Sequence, residues 1–307
     1  MSSSKERVFV TAASGNIGSG VVRGLIKKGI DTTAYVRDEQ KAKDLFKDEL
    51  NTGHLKFVVG TYSSIDVFTE AIRGHTRLFL LVAAAADSKP ASMSQIKGTF
   101  GKIAFEQGVR QIVDLSSACV SSYGKKGIIG YMHTAAEEKL WTLADENPEQ
   151  CSLVILRPGS FMSNHFMSDV HHIKHSNKIV SCGSPSSTVT WIDTKDISDC
   201  AVVVLSESVE KHDRNVYDMG ADALSNEQRA AVFSKVLGKP IIYEQQSMED
   251  FYKTLIGFGT SHSFAYNFAL VSSKDICETT TPQIAIIIGR PLRSLEDWLR
   301  ENIRAFE

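Results

Sequence analysis

The chain has 307 residues, with 34 lysines and arginines against 36 aspartates and glutamates, a net charge of −2 with histidine neutral. A composition 42% hydrophobic and 23% charged is that of a globular protein, and the near-balance of intermixed charges argues against a surface built for nucleic acid or an anionic membrane. No run approaches the roughly 18 apolar residues of a membrane span, the polar stretch 1–7 reads as leaving no room for a secretory leader, and five scattered cysteines (Cys119, Cys151, Cys182, Cys200, Cys277) without a C-x-x-C pair read as reduced thiols of a cytoplasmic protein.

Short apolar runs alternate with longer amphipathic ones. Val8 to Thr11 reads as a strand. Ile17, Val21, Leu25 and Lys28 recur at helical spacing, and Gly29 follows; cations and a glycine are a common helix ending. Strands are expected at 32–36 and 55–59, with a charged helix at 41–50 between them. A helix at 64–73 closes on Gly74, and the wholly apolar run 78–84 reads as a strand covered on both faces. Helix 92–107, strand 109–115, helix 130–145 and strand 151–156 continue the pattern, which implies a parallel sheet with right-handed crossovers.

After Pro158 the rhythm changes. Residues 158–187 are rich in Ser, His and Met and carry loop signals, and strands are expected at 188–192 and 216–219 around a helix at 196–205. Ser225-Asn226-Glu227-Gln228 has the form of a capping box, opening a helix that Gly238 stops, and a last helix covers 294–306. The expected architecture is α/β. A Rossmann-type, doubly wound parallel sheet occupies 1–157, with a strand and helix returning at about 188–219. A small C-terminal α/β lobe from 158–187 and 220–307 serves the substrate.

The most informative stretch is Thr11-Ala12-Ala13-Ser14-Gly15-Asn16-Ile17-Gly18, which follows the first strand and opens the first helix. Gly15 lets a pyrophosphate approach the backbone and Gly18 lets the helix pack on the sheet, while the helix N-terminus offers free amides and partial positive charge. The first glycine of the fingerprint is absent: Ala12 holds its place in G-x-x-G-x-x-G spacing, Ala13 in G-x-G-x-x-G. The bland alternative is a strand-turn-helix corner that binds nothing. The second strand ends in Arg37, where a guanidinium suits a 2′-phosphate, so NADP(H) is expected over NAD(H). Asp38, next in sequence, works against that phosphate. Strand ends elsewhere supply further expected cofactor contacts: Val82, Ala83 and Ala84, Ser116, and the loop Pro158, Gly159 and Phe161.

At this point the sequence resembles the NmrA-like branch of the atypical short-chain dehydrogenases. The likeness rests on the Thr11–Gly18 stretch, on Tyr35-Val-Arg-Asp-x-x-Lys-Ala42, on His133-x-x-x-Glu137, on Leu153-Val-Ile-Leu-Arg-Pro-Gly-Ser-Phe-Met-Ser-Asn164 and on Trp191-Ile-Asp-Thr-Lys-Asp-Ile197, in collinear order. It implies a Rossmann fold binding a dinucleotide. Family members include NADP-dependent quinone and dye reductases, iminium reductases and non-catalytic redox-sensing regulators, so the resemblance leaves the activity open.

Three residues are candidates for catalysis. Tyr131 stands where a dehydrogenase tyrosine would, but Ala135 holds the slot of the lysine that activates it, which disfavours ordinary alcohol oxidation. His133 and Glu137 share a helix face, as a proton source beside the nicotinamide or as a surface ion pair. Phe161, Met162, Asn164 and Phe166 are the expected substrate contacts, an aromatic and thioether lining that suits a flat apolar molecule; core packing is the alternative. His165, His171, His172 and His175 lack a third metal ligand, and no metal is expected. Two functions stay open: an NADPH-dependent reductase of a small conjugated or cationic acceptor, and an NADP(H)-sensing regulator acting through a protein partner.

Overall fold

Strand and helix alternate along the chain in the computed structural model, which describes residues 6–82, 90–120, 127–274, 277–280 and 282–307. The elements are β1 (Arg7–Val10), α1 (Asn16–Lys27), β2 (Asp31–Val36), α2 (Glu39–Leu45), β3 (Leu55–Val59), α3 (Ile65–Ile72), β4 (Arg77–Leu80), α4 (Pro90–Glu106), β5 (Gln111–Leu115), α5 (Ile128–Asp145) and β6 (Ser152–Pro158). There follow β7 (Ser160–Phe161), α6 (His165–Ser168), α7 (Val170–Ser176), β8 (Lys178–Ser181), β9 (Thr188–Ile192), α8 (Thr194–Ser206), α9 (Val209–His212), β10 (Val216–Met219), β11 (Asp222–Ser225), α10 (Asn226–Leu237) and β12 (Ile242–Gln245). The last helices are α11 (Met248–Gly257), α12 (His262–Ser272), α13 (Gln283–Ile288) and α14 (Leu295–Glu301).

The chain forms two compact units: Met1–Ser117, Met132–Arg157 and Ile197–Tyr217, and Ala118–Tyr131, Pro158–Asp196 and Asp218–Glu307. The main sheet has seven strands in the order β10-β6-β5-β4-β1-β2-β3, and β6 to β3 pair in parallel throughout. This is the doubly wound order, with its switch point between β1 and β4. β4 and β5 are buried at every position, as strands covered on both faces must be. β4 ends at Leu80, short of the expected 78–84. The reason lies in Thr11, whose hydroxyl accepts from the Leu81 amide at 2.8 Å and donates to the Leu81 carbonyl at 2.9 Å, taking both groups away from any further ladder. Ala83 and Ala84 lie outside the described residues.

α1 buries Ile17, Val21, Val22, Leu25 and Ile26 along one stripe, each large aliphatic side chain contributing roughly 1.5–3 kcal/mol of transfer free energy. Its position is fixed by the turn before it. Ala12 adopts a left-handed φ of 48°, and its carbonyl accepts from Gly15 N at 3.0 Å. A Cβ on Gly18 would fall 2.3 Å from the Ala12 oxygen, so only glycine lets the helix start against this turn. The backbone thus sets the register as Ala12-x-x-Gly15-x-x-Gly18, with alanine at a position that favours glycine. Beneath it, Phe68 and Phe100 stack at 3.9 Å between centroids and Tyr35 meets both edge-on.

In the second unit, β9 pairs parallel with β7 and antiparallel with β11, and β8 pairs with β12. Met162, Ile173, Trp191, Phe233, Trp298 and Phe306 pack its core. The capping box of Ser225 and Gln228 is formed, and Gly238 closes α10 in a left-handed conformation. Residues 158–187, expected as loops, hold the short elements β7, α6, α7 and β8.

Ala12→Gly removes a left-handed strain of about 1–2 kcal/mol against a smaller gain in unfolded-chain entropy. We expect it to raise the urea unfolding free energy by up to about 1 kcal/mol, whereas Gly18→Ala lowers it by roughly 1–3 kcal/mol.

Candidate cofactor site

The carboxyl ends of β1, β2 and β3 in the first unit open onto a cleft of about 740 Å³. The turn residues Ala12, Ser14 and Gly15 line it, with Arg37 and the segment Gly60–Ser63 at the strand ends, Ser92, Met93 and Ile96 on α4, Val82, and Met132 on α5. α1 begins at this turn with no side-chain cap and no acidic residue in its first turn. Its unpaired amides and dipole are therefore free for an anion. Arg37 forms no ion pair or hydrogen bond among the described residues, so its guanidinium is available in the cleft. Asp38 is turned away: it is the N-cap of α2, and its carboxylate accepts from the Lys41 amide at 3.0 Å. Among the described residues, no carboxylate lines the cleft. These features suit a ligand carrying several phosphates.

A second polar group lies in the same unit, on α4, α5, β5 and β6. Lys97 is fully buried, its ammonium 2.7 Å from Asp114 and donating to the Leu115 carbonyl at 2.8 Å. Burial holds the Asp114 carboxyl above its ordinary range while the lysine opposes that rise. Ser116, directly after β5, donates its hydroxyl to Glu137, and Arg157 on β6 donates to the same carboxylate at 3.0 Å through Nε. His133 is half-buried, and its Nδ1 has no hydrogen-bond partner among the described residues. Burial, with the Lys97 ammonium assisting, pushes its imidazole down to about 3, so it is neutral at physiological pH.

Several expectations are placed differently. Thr11 is buried with its hydroxyl on Leu81. Asn16 is exposed at the first turn of α1, and Ile17 and Gly18 face inward. Glu137 is buried on Ser116 and Arg157, which removes the surface ion pair with His133, and a neutral His133 is no cationic proton source. Tyr131 is 58% exposed. In the second unit, Met162 is fully buried in the core rather than open to a substrate, because it packs with Trp191 and Phe233. Asn164, expected on the substrate, stands at the N-cap of α6 and makes no side-chain cap. Phe166 packs on Trp298 at 5.0 Å and Phe306 at 5.9 Å between centroids. Phe161 pairs with Ile192 in the β7–β9 ladder, Pro158 ends β6, and Gly159 packs so closely on Thr190 that a Cβ would fall 2.4 Å from its hydroxyl oxygen. His165 is a core histidine, 2.5 Å from Asp169 and stacked on Trp191. Among the described residues no group of three or more His, Cys, Asp or Glu is gathered for a metal, and no helix is long and apolar enough to cross a membrane.

Sequence reasoning missed Lys97 and Asp114. The signal was present: Lys97 sits on the Met93–Lys97–Phe100–Ala104 stripe of α4, and Asp114 interrupts a wholly buried strand. Opposite charges breaking two apolar patterns mark a buried pair. Tyr35, Tyr62 and Met132 also lie on the cleft without having been singled out.

The strand order and the open helix N-terminus over the cleft define a Rossmann-type protein. The chain belongs to the NmrA-like family, which it matches over residues 4–286. It is 24% identical to the NAD(P)H azoreductase of Xenophilus azovorans over 97% of this chain and 99% of that one. It is 28% identical to prestalk A differentiation protein A of Dictyostelium discoideum, over 98% and 94% of the two chains. The crystal structure of Citrobacter sp. triphenylmethane reductase complexed with NADP(H) superposes with a TM-score of 0.78 at 20% identity, over 96% of this chain and 99% of the other.

Removing one partner of a buried ion pair leaves a bare charge, so Lys97→Met should destabilise the fold by about 3–5 kcal/mol, and adding Asp114→Leu should restore most of that loss in urea unfolding. The folded state of His133 resists protonation, so its contribution is full above the unfolded pKa of 6.5 and is lost as pH falls toward about 3. His133→Gln should therefore lose less stability than the wild type over this window, by up to about 1.4 kcal/mol per pH unit.

Proposed function

We propose that the protein is an NADPH-dependent reductase that delivers hydride to a small conjugated or cationic organic acceptor. The observation that carries this reading is the cleft: an uncapped helix start and, among the described residues, an unpaired Arg37 and no lining carboxylate. The Gly15 turn and the first amides of α1 would hold the pyrophosphate, and Arg37 the 2′-phosphate. The close approach at Gly15 fits, since even a Cβ there would lie 3.3 Å from the Ala12 oxygen. When bound, the reduced nicotinamide supplies the hydride.

The residues of the first unit favour acceptors that need no protonation by the protein. Ser116 has its hydrogen on Glu137, Glu137 is paired with Arg157, and His133 is neutral. An iminium ion or a cationic dye takes hydride to a neutral product without a proton, and a quinone or azo compound can draw its protons from water. The azoreductase and the triphenylmethane reductase act on acceptors of these kinds by their names, which supports the reading.

Oxidation of NADPH followed by absorbance, against a panel of quinones, azo and triarylmethane dyes and iminium compounds, tests it. Turnover with at least one class is expected. Tight binding of NADPH with no turnover anywhere would instead favour a dinucleotide-sensing regulator. Arg37→Ala should weaken NADPH by about 10–150-fold, the worth of a charge-assisted hydrogen bond, and leave NADH nearly unchanged.

A further inference from the structure

The Gly15 turn follows β1 and Arg37 follows β2, so the phosphate seats lie on one side of the switch point between β1 and β4. A dinucleotide spans such a point at the carboxyl ends of the strands. Its nicotinamide half then belongs on the other side, at β4 and β5. Ser116 is the residue directly after β5 at that edge, and it is 4% exposed.

Ser116 is held from three directions. Its amide donates to the Leu156 carbonyl on β6 at 2.8 Å. The Leu115 carbonyl before it accepts from the Lys97 ammonium at 2.8 Å. Its hydroxyl donates to Oε1 of Glu137. Arg157 grips the same side chain at two points, donating from Nε to Oε1 at 3.0 Å and from Nη2 to Oε2 at 2.5 Å. Glu137 therefore cannot turn Oε1 away from Ser116 without breaking a two-point, charge-assisted pair. A serine hydroxyl has a single hydrogen. With that hydrogen on Glu137, any further partner of Ser116 Oγ must be a donor.

This requirement sorts the groups that a bound dinucleotide and its acceptor bring. A quinone oxygen has no hydrogen to give, so Ser116 in this state cannot polarise it. The nicotinamide half does carry donors, the amine of its carboxamide and the hydroxyls of its ribose. We propose that Ser116 is a fixed hydrogen-bond acceptor for the nicotinamide half of the dinucleotide, and that Glu137, clamped by Arg157, is the positioning residue that keeps it an acceptor. This rests on the dinucleotide reading above and extends it from the phosphates to the reacting end.

The test is fluorescence titration of the full chain and its variants with NADPH and with the reduced 3-acetylpyridine analogue, in which a methyl group replaces the amine. Ser116→Ala leaves both Arg157 bonds to Glu137 in place and should weaken NADPH by about 2–12-fold, the worth of one neutral hydrogen bond. Either of two patterns supports the proposal: an equal loss with the analogue assigns the donor to the ribose, and a loss confined to NADPH assigns it to the carboxamide. Unchanged affinity for both ligands would overturn it. Glu137→Ala should weaken NADPH in the wild-type chain and add nothing in the Ser116→Ala chain, because a residue that acts through another is not additive with it. Arg157→Lys, which breaks the two-point grip but keeps a cation, gives the same comparison where Glu137→Ala does not fold. Equal losses in both backgrounds would overturn the positioning role. Failure of both ligands to bind the wild-type chain would instead overturn the dinucleotide reading itself, and this inference with it.

Discussion

The contact between the Ala12 carbonyl and the bare α-carbon of Gly18 governs the geometry of the first unit. It brings the start of α1 within reach of the β1 turn and directs the helix N-terminus into the space above the switch point. A helix begun one residue later, or held off by a methyl group, would aim its amides elsewhere. Arg37 and the Gly60–Ser63 loop then matter because β2 and β3 stand beside β1 in parallel register, bringing their carboxyl ends to the same edge.

That architecture was legible because its causes are local. Apolar runs of strand length, helices closed by glycine and the Ala12–Gly18 turn each announce themselves within a few residues, and their alternation leaves little choice of topology. The second unit was less legible. Its strands β7, β8, β11 and β12 have two to four residues, too few for an alternating pattern to stand out, and Met162 and Phe166 look alike in sequence whether they line a pocket or a core. In the cleft, Gly15 and Arg37 were evident from position. The retreat of Asp38 into a helix cap was not, since the same carboxylate serves either role until α2 has a start.

The Lys97–Asp114 and Arg157–Glu137 pairs show a different limit. Each joins residues from separate elements, so no window of sequence contains both partners. Together they leave a buried polar group whose charges cancel, two cations against two carboxylates, with Ser116 engaged and His133 neutral beside it. Such an interior neither donates a proton readily nor imposes a strong field.

The position of Tyr35 couples two properties usually treated apart. Its ring belongs to the aromatic stack with Phe9, Phe68 and Phe100, while its hydroxyl holds the Thr61 carbonyl at the mouth of the cleft. Close-packed interiors transmit displacement rather than absorb it. Drift in the hidden aromatic layer during evolution is thus constrained by the shape of the cleft mouth as well as by folding.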